Sequence, residues 1–176
     1  LKVGKAWSTF CDPAAAPPTI DFEGPSGTVC ARNVMLQYHH RFNEHWSMAS
    51  AIEAPSATYT TLPHASESIK QRIPDLPSYV QYEWNDGKSH IRWSNLLRFL
   101  SFRNLIEGKN QYVIALASQL SGMITFSPLI TFYYQAAYGK GYADYLNDLG
   151  GLGYDLIPDG DEGKLKAPSA LGIVGG

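Results

Sequence analysis

Between Tyr79 and Trp84 the side chains alternate, with Val80, Tyr82 and Trp84 on one face of an extended chain and Tyr79, Gln81 and Glu83 on the other. Asn85-Asp86-Gly87 follows at once, and these residue types tolerate the positive φ of a tight hairpin. The chain then returns with Ile91, Trp93, Leu97 and Phe99 opposed to His90, Arg92, Ser94 and Arg98. Two neighbouring strands thus share one apolar and one polar face, which fits an antiparallel sheet and not a helix.

The same period recurs along the chain. Val34, Leu36 and Tyr38 alternate with Asn33, Gln37, His39 and Arg41, with Met35 as the exception. Trp46, Met48 and Ile52 alternate with Ser47, Ala49, Ala51 and Glu53. Tyr112, Ile114, Leu116 and Leu120 oppose Ala115, Ala117, Gln119 and Ser121, and Ile130, Phe132, Tyr134 and Tyr138 oppose Thr131, Tyr133 and Gln135. Adding strands near residues 3–10 and 165–175 gives eight. The connections at 42–45, 85–88 and 123–128 are short, those at 12–28, 55–76 and 140–163 are long, and 104–109 is intermediate. Short turns at one end and long loops at the other describe an all-β, antiparallel transmembrane β-barrel. Trp46, Trp84, Tyr112 and Tyr138, near strand ends, suit interfacial aromatic girdles. A soluble barrel is the competing reading, but it leaves Arg, His, Gln, Glu and Asn facing water on every strand over one thin core.

Composition narrows the classes further. With 12% aromatic, 44% hydrophobic and 17% charged residues and a mean hydropathy of -0.20, the chain has no stretch of about 20 apolar residues to form a transmembrane helix. Leu1-Lys2-Val3 does not read as the start of a signal peptide, which leaves export of a mature chain open. A net charge of -2 and a pI near 6.2 argue against nucleic acid as a partner. Cys11 and Cys30 flank a Pro-rich stretch, where a disulfide and two unpaired thiols are equally compatible with the sequence. Asp159, Asp161 and Glu162 miss the ligand spacing of a calcium loop, and His39 and His40, being adjacent on a strand, point to opposite faces. No Ser-His-Asp set, metal-ligand spacing or phosphate-binding glycine loop is present, so neither enzymatic activity nor a cofactor or metal is expected.

Two segments carry a more specific resemblance. Gly4-Lys5-Ala6-Trp7-Ser8-Thr9-Phe10 is followed by Asp12-Pro13-Ala14-Ala15-Ala16-Pro17-Pro18-Thr19-Ile20-Asp21-Phe22-Glu23-Gly24-Pro25, and the later landmarks are Arg32-Asn33-Val34 and Tyr138-Gly139-Lys140-Gly141. Together they resemble the DcaP-like bacterial outer-membrane porins over nearly the whole chain. The resemblance implies a sixteen-stranded, trimeric barrel with a signal peptide upstream and further strands downstream. Residues 1–176 are then a partial barrel domain, truncated at both ends. The ending Leu171-Gly172-Ile173-Val174-Gly175-Gly176, without the terminal aromatic usual in such barrels, agrees. Cys11 and Cys30 depart from this resemblance, and Arg32 falls on the apolar parity, so its strand should begin after it or carry a bulge.

Function follows as passive diffusion of small hydrophilic solutes across the bacterial outer membrane, with membrane lipid, lipopolysaccharide and copies of the same chain as partners. Arg41, Arg92 and Arg98 with His39 and His90 share the polar face. If residues 12–28 fold inward, Asp21 and Glu23 face the arginines and create a transverse field, while the arginine cluster itself favours anionic solutes. The alternatives are an adhesive or enzymatic outer-membrane barrel and a soluble β-rich binding domain.

Overall fold

Asn85 and Asp86 adopt φ of 56° and 52°, and Gly87 follows at 79°, closing the hairpin that the sequence marks. It joins β5 (Leu76–Trp84) to β6 (Ser89–Asn104), paired antiparallel from Leu76↔Leu97 to Trp84↔Ser89. In the computed structural model, residues 1–20 and 24–176 are described. The other strands are β1 (Lys2–Trp7), β2 (Arg32–Arg41), β3 (Trp46–Glu53), β4 (Ser66–Ser68), β7 (Lys109–Ser127), β8 (Ile130–Lys140), β9 (Ile157–Pro158), β10 (Leu165–Lys166) and β11 (Ser169–Gly175).

All pairings in the main sheet are antiparallel, and its path is β1-β2-β3-β5-β6-β7-β8-β11, with β4 added beside the end of β6; β9 and β10 form a separate ribbon. Apart from β4, strands therefore neighbour one another in sequence order, as the alternation requires. Four details differ from expectation. β7 runs on to Ser127 through a bulge near Phe126, so its turn with β8 is tighter than residues 123–128. β1 stops at Trp7, after which the chain leaves the sheet. The last expected strand is split, because Leu165–Lys166 pairs with β9 and only Ser169–Gly175 joins the main sheet. Arg32 stays on the apolar parity within an unbroken register, opposite Trp7. Its guanidinium lies 5.6 Å from the Trp7 ring centroid, a cation–π contact that accommodates the charge without a bulge.

The two faces of the sheet differ in chemistry. On one, Val80, Trp93 and Leu120 stand side by side across three strands and remain 41%, 57% and 45% exposed. Ile91, Leu116, Phe132 and Ile173 are exposed on the same parity. At the short-turn end Tyr82 lies between Trp46 and Trp84, at 5.0 and 5.9 Å between ring centroids, as a girdle requires. The opposite face is covered by residues 8–20, 24–31, 54–75 and 141–168 of the long connections. Beneath them Phe10, Leu96, Ala117, Ala137, Tyr142, Tyr145 and Leu146 form one apolar cluster, and Leu100, Phe102, Ala115, Leu156 and Leu165 a second. Buried polar and charged side chains share this face with them, among them Arg98 and Asn104 on the same parity of β6 as Leu96, Leu100 and Phe102.

The disulfide left open by the sequence is not formed; both thiols are free. Cys11 is buried with its Sγ accepting the Ala31 amide at 3.1 Å, while the Cys30 thiol donates to Asn147 Oδ1 at 3.3 Å. Neighbouring residues on an extended segment aim apart, so holding Cys11 against Ala31 directs Cys30 elsewhere.

Candidate functional site

The connection after β1, described at residues 8–20 and 24–31, reaches across the covered face to β11. Ser8 and Ala31 close its base through a backbone bond, Ser8 N to Ala31 O at 2.8 Å. At the far side Gly27 lies so near β11 that a Cβ would come within 2.6 Å of the Ile173 carbonyl oxygen, which only glycine permits. Between these points Asp12 is fully buried and fastens the loop to the wall. Its Oδ2 accepts from His90 Nε2 at 2.8 Å and from Ser121 Oγ at 2.7 Å, and Arg92 Nη1 lies 3.6 Å from Oδ1. Gln135 donates to the Asp12 carbonyl and accepts the Val29 amide, so one side chain of β8 holds both limbs of the loop. Burial pushes the Asp12 carboxyl up, but the hydrogen bond from His90 and the Arg92 charge outweigh it and hold the acid below its ordinary range.

From Asp12 a polar ladder descends along the covered face. Arg92 Nε donates to Gln81 Oε1 at 2.5 Å, its Nη1 to the Cys11 carbonyl at 3.0 Å, and its guanidinium stacks 4.1 Å from the Tyr79 centroid. Gln81 donates to Glu83 Oε1 at 2.5 Å, and Glu83 Oε2 meets Arg41 Nη2 at 3.3 Å. Arg41 is exposed near the short-turn end, and His39 is exposed beside it on the same parity. His40 points to the opposite face against Tyr38 and Phe42, as adjacency on a strand dictates.

Arg98 is placed differently from the other expected wall residues. It is 1% exposed, with Nε on Asp75 Oδ2 at 3.1 Å and Nη1 on Asp155 Oδ1 at 3.0 Å. It also donates to the carbonyls of Gly141 and Ser56, and its guanidinium lies 5.1 Å from the Tyr145 ring centroid. Tyr145 in turn donates to Asp75 at 3.0 Å. One side chain of β6 therefore braces both the 54–75 and the 141–168 connections. The expectation that Arg98 lines an open passage is corrected: a guanidinium enclosed by two carboxylates has no face left for passing solute.

Of the expected site residues, the structure brings Arg92 and His90 together on Asp12 and leaves Arg41 and His39 accessible; the expectation that His90 lines the passage is corrected, since it is buried beneath the loop as an anchor for Asp12. Asp21 and Glu23 lie outside the described residues. Asp12, Asp75 and Asp155, which lie off the named strands and so outside any parity, join Ser121, Gln135 and Arg98 of the polar parity in holding the loops to the wall. Among the described residues no three His, Cys, Asp or Glu side chains form a group able to hold a metal.

No protein-family model matches the sequence, and no curated protein matches it. Among solved structures, the outer-membrane channel DcaP of Acinetobacter baumannii superposes with a TM-score of 0.76 at 18% identity over 98% of this chain. The fold is that of the DcaP channel. The chain spans about half of that structure's length, 47%. The likeness extends over 98% of this chain, its strands and connections together. The resemblance carried by the Pro-rich segment and the strand landmarks is thereby borne out at the level of fold.

Proposed function

We propose that the protein carrying this chain is a diffusion channel of the bacterial outer membrane, passing small hydrophilic solutes through a barrel to which residues 1–176 contribute part of the wall. One observation supports this most directly: the large side chains stand uncovered on one face while charged and amide side chains are enclosed on the other. Covering a large apolar side chain is worth about 1.5–3 kcal/mol. Leaving Val80, Ile91, Trp93, Leu116, Leu120 and Phe132 in water forgoes a sum comparable to the whole stability of a domain, about 5–15 kcal/mol. In lipid that loss disappears. The backbone then requires closure by strands outside this numbering, since unpaired edge groups are not tolerated in hydrocarbon.

The finer reading is a mild preference for anions, carried by Arg41 and Arg92 with His39. Arg41 is the more exposed partner of its pair, 58% against 27% for Glu83, so its charge reaches solvent the better. The trimer that the resemblance implies would find a contact surface in a row of polar side chains that crosses the apolar face, Ser50↔Ser78, Ser78↔Asn95 and Asn95↔Ser118. Trp93 Nε1 already spends its donor on Ser118 Oγ at 2.8 Å. A second copy laid over the row removes the remaining polar atoms from lipid.

The full-length protein, purified in detergent and added to planar bilayers, should produce stepwise ohmic conductance and migrate as a trimer after cross-linking. A protein that is soluble without detergent and leaves the bilayer silent would overturn the channel reading.

A further inference from the structure

Beyond Phe99 on the apolar face of β6, the side chains at even spacing change to Ser101 and Arg103. Tyr112 of β7 stands opposite Ser101, and the segment after β4 is tied alongside by Gln71, whose side chain exchanges two bonds with the Ser101 backbone at 2.7 and 2.8 Å. This places Lys70 and Arg72 beside Arg103 around a surface depression of about 470 Å³ that Tyr112 and Ile73 also border. None of the three cations forms an ion pair among the described residues; Arg103 bonds only to Asn110 Oδ1 and the Gly108 carbonyl, both at 3.2 Å. Two carboxylates are close in the fold. Glu67 pairs with Arg103 across the strands, and Glu107 is taken by Lys109 at 2.8 Å. The depression therefore carries two positive charges in excess.

Its position says what those charges are for. It lies at the long-connection end, on the face that continues into Phe99, Ile114 and Leu97, so one border is cationic and the other is the apolar band. A free anion uses only the first border. A phosphorylated lipid uses both, its headgroup on the cations and its chains against Tyr112 and the strands below.

We infer that Lys70, Arg72 and Arg103 form a docking site for the phosphoryl headgroup of an outer-leaflet glycolipid such as lipid A. The inference rests on the outer-membrane reading above and adds the residues that would hold the lipid. Each cation near such a surface contributes a factor of about five in binding, so K70Q, R72Q and R103Q should each weaken lipid binding by about that factor. The triple variant should weaken it by roughly a hundred-fold. Glu67→Gln, which removes the opposing charge, should tighten it.

The test uses full-length protein purified in detergent and stripped of lipid, titrated with bis-phosphorylated lipid A and read by native mass spectrometry. Dephosphorylated lipid A and inorganic pyrophosphate serve as the other probes. The expected result is binding that needs the phosphates, falls across the charge series, rises in E67Q and is competed only weakly by pyrophosphate. Equal binding of the dephosphorylated lipid, or unchanged binding in the triple variant, would overturn the site. Pyrophosphate competing as well as lipid A would reassign it to free anions and overturn the lipid. Conductance measured on the same preparations separates the two readings: a conducting protein whose lipid binding ignores these residues sinks this inference alone, and a non-conducting one sinks the channel.

Discussion

Arg98 meets two carboxylates with a single positive charge, and that imbalance governs how its surroundings titrate. Burial pushes Asp155, in the 141–168 connection, up to about 7, with the Arg98 charge opposing. Its Oδ2 has no hydrogen-bond partner among the described residues, an arrangement that costs less when the acid carries a proton. An unfolded aspartate titrates near about 3.9. The folded state therefore binds this proton more tightly, and the resulting stabilisation is full below that pH and lost as pH rises through about 7. Melting of the purified protein followed from pH 5 to 8 should show stability falling through this window, and Asp155→Asn should flatten the slope; an equal slope in the variant would reject the assignment. Arg98→Met strands both acids in a buried site and should destabilise by about 3–5 kcal/mol, seen as a lowered melting temperature. Parity on β6 put Arg98 on the polar face correctly. Its partners arrive from Asp75 and Asp155 on separate connections, and no local pattern reveals which carboxylates a loop will deliver to a wall.

Strands and connections were legible to different degrees. Alternation marks a strand whenever one face is apolar and the other polar, which holds from β2 through β8, with β4 aside. It fails for β4, β9 and β10, which are too short to show a period and exist because a neighbouring edge or ribbon accepts them. It also misjudged residues 8–10, whose apolar Phe10 packs between Tyr142 and Tyr145 at 6.2 and 5.8 Å, beneath a loop and not on a strand. That the 8–31 connection folds inward was foreseeable only as a condition, because the decisive contacts are single atoms of Asp12 and Gln135. Asp12→Ala removes the acceptor for His90 and Ser121 and leaves Arg92 without its carboxylate. Charge-assisted hydrogen bonds contribute about 1.5–3 kcal/mol each, so the loop should lift from the wall while the sheet persists. Cleavage within residues 8–31 under limited proteolysis should become faster, and single-channel current should become larger and noisier. A variant with wild-type cleavage and current would show that Asp12 does not hold the loop.

At the scale of the whole molecule, the selectivity of the proposed channel depends on which fixed charges still reach the water after the loops have settled. Arg98 is enclosed by Asp75 and Asp155, and Arg92 is mostly covered, with Asp12 beside it and only 13% of its side chain exposed. Arg41 keeps the more open position relative to Glu83, with the exposed His39 next to it. The field in the passage should therefore be weakly positive and local to the lower wall, which predicts a modest preference for small anions and not a strict filter. Because accessible charges are screened beyond about 8 Å at physiological ionic strength, that preference should fade as salt is raised, whereas a steric filter would not respond. Reversal potentials measured across a salt gradient give the check. Replacing Arg41 and Arg92 together by Gln should move the potential toward cations, while Arg98→Gln, in any protein that still folds, should leave it nearly unchanged. The reverse ranking, with Arg98 dominant, would mean that the brace opens in the membrane and that its charge faces the solute after all.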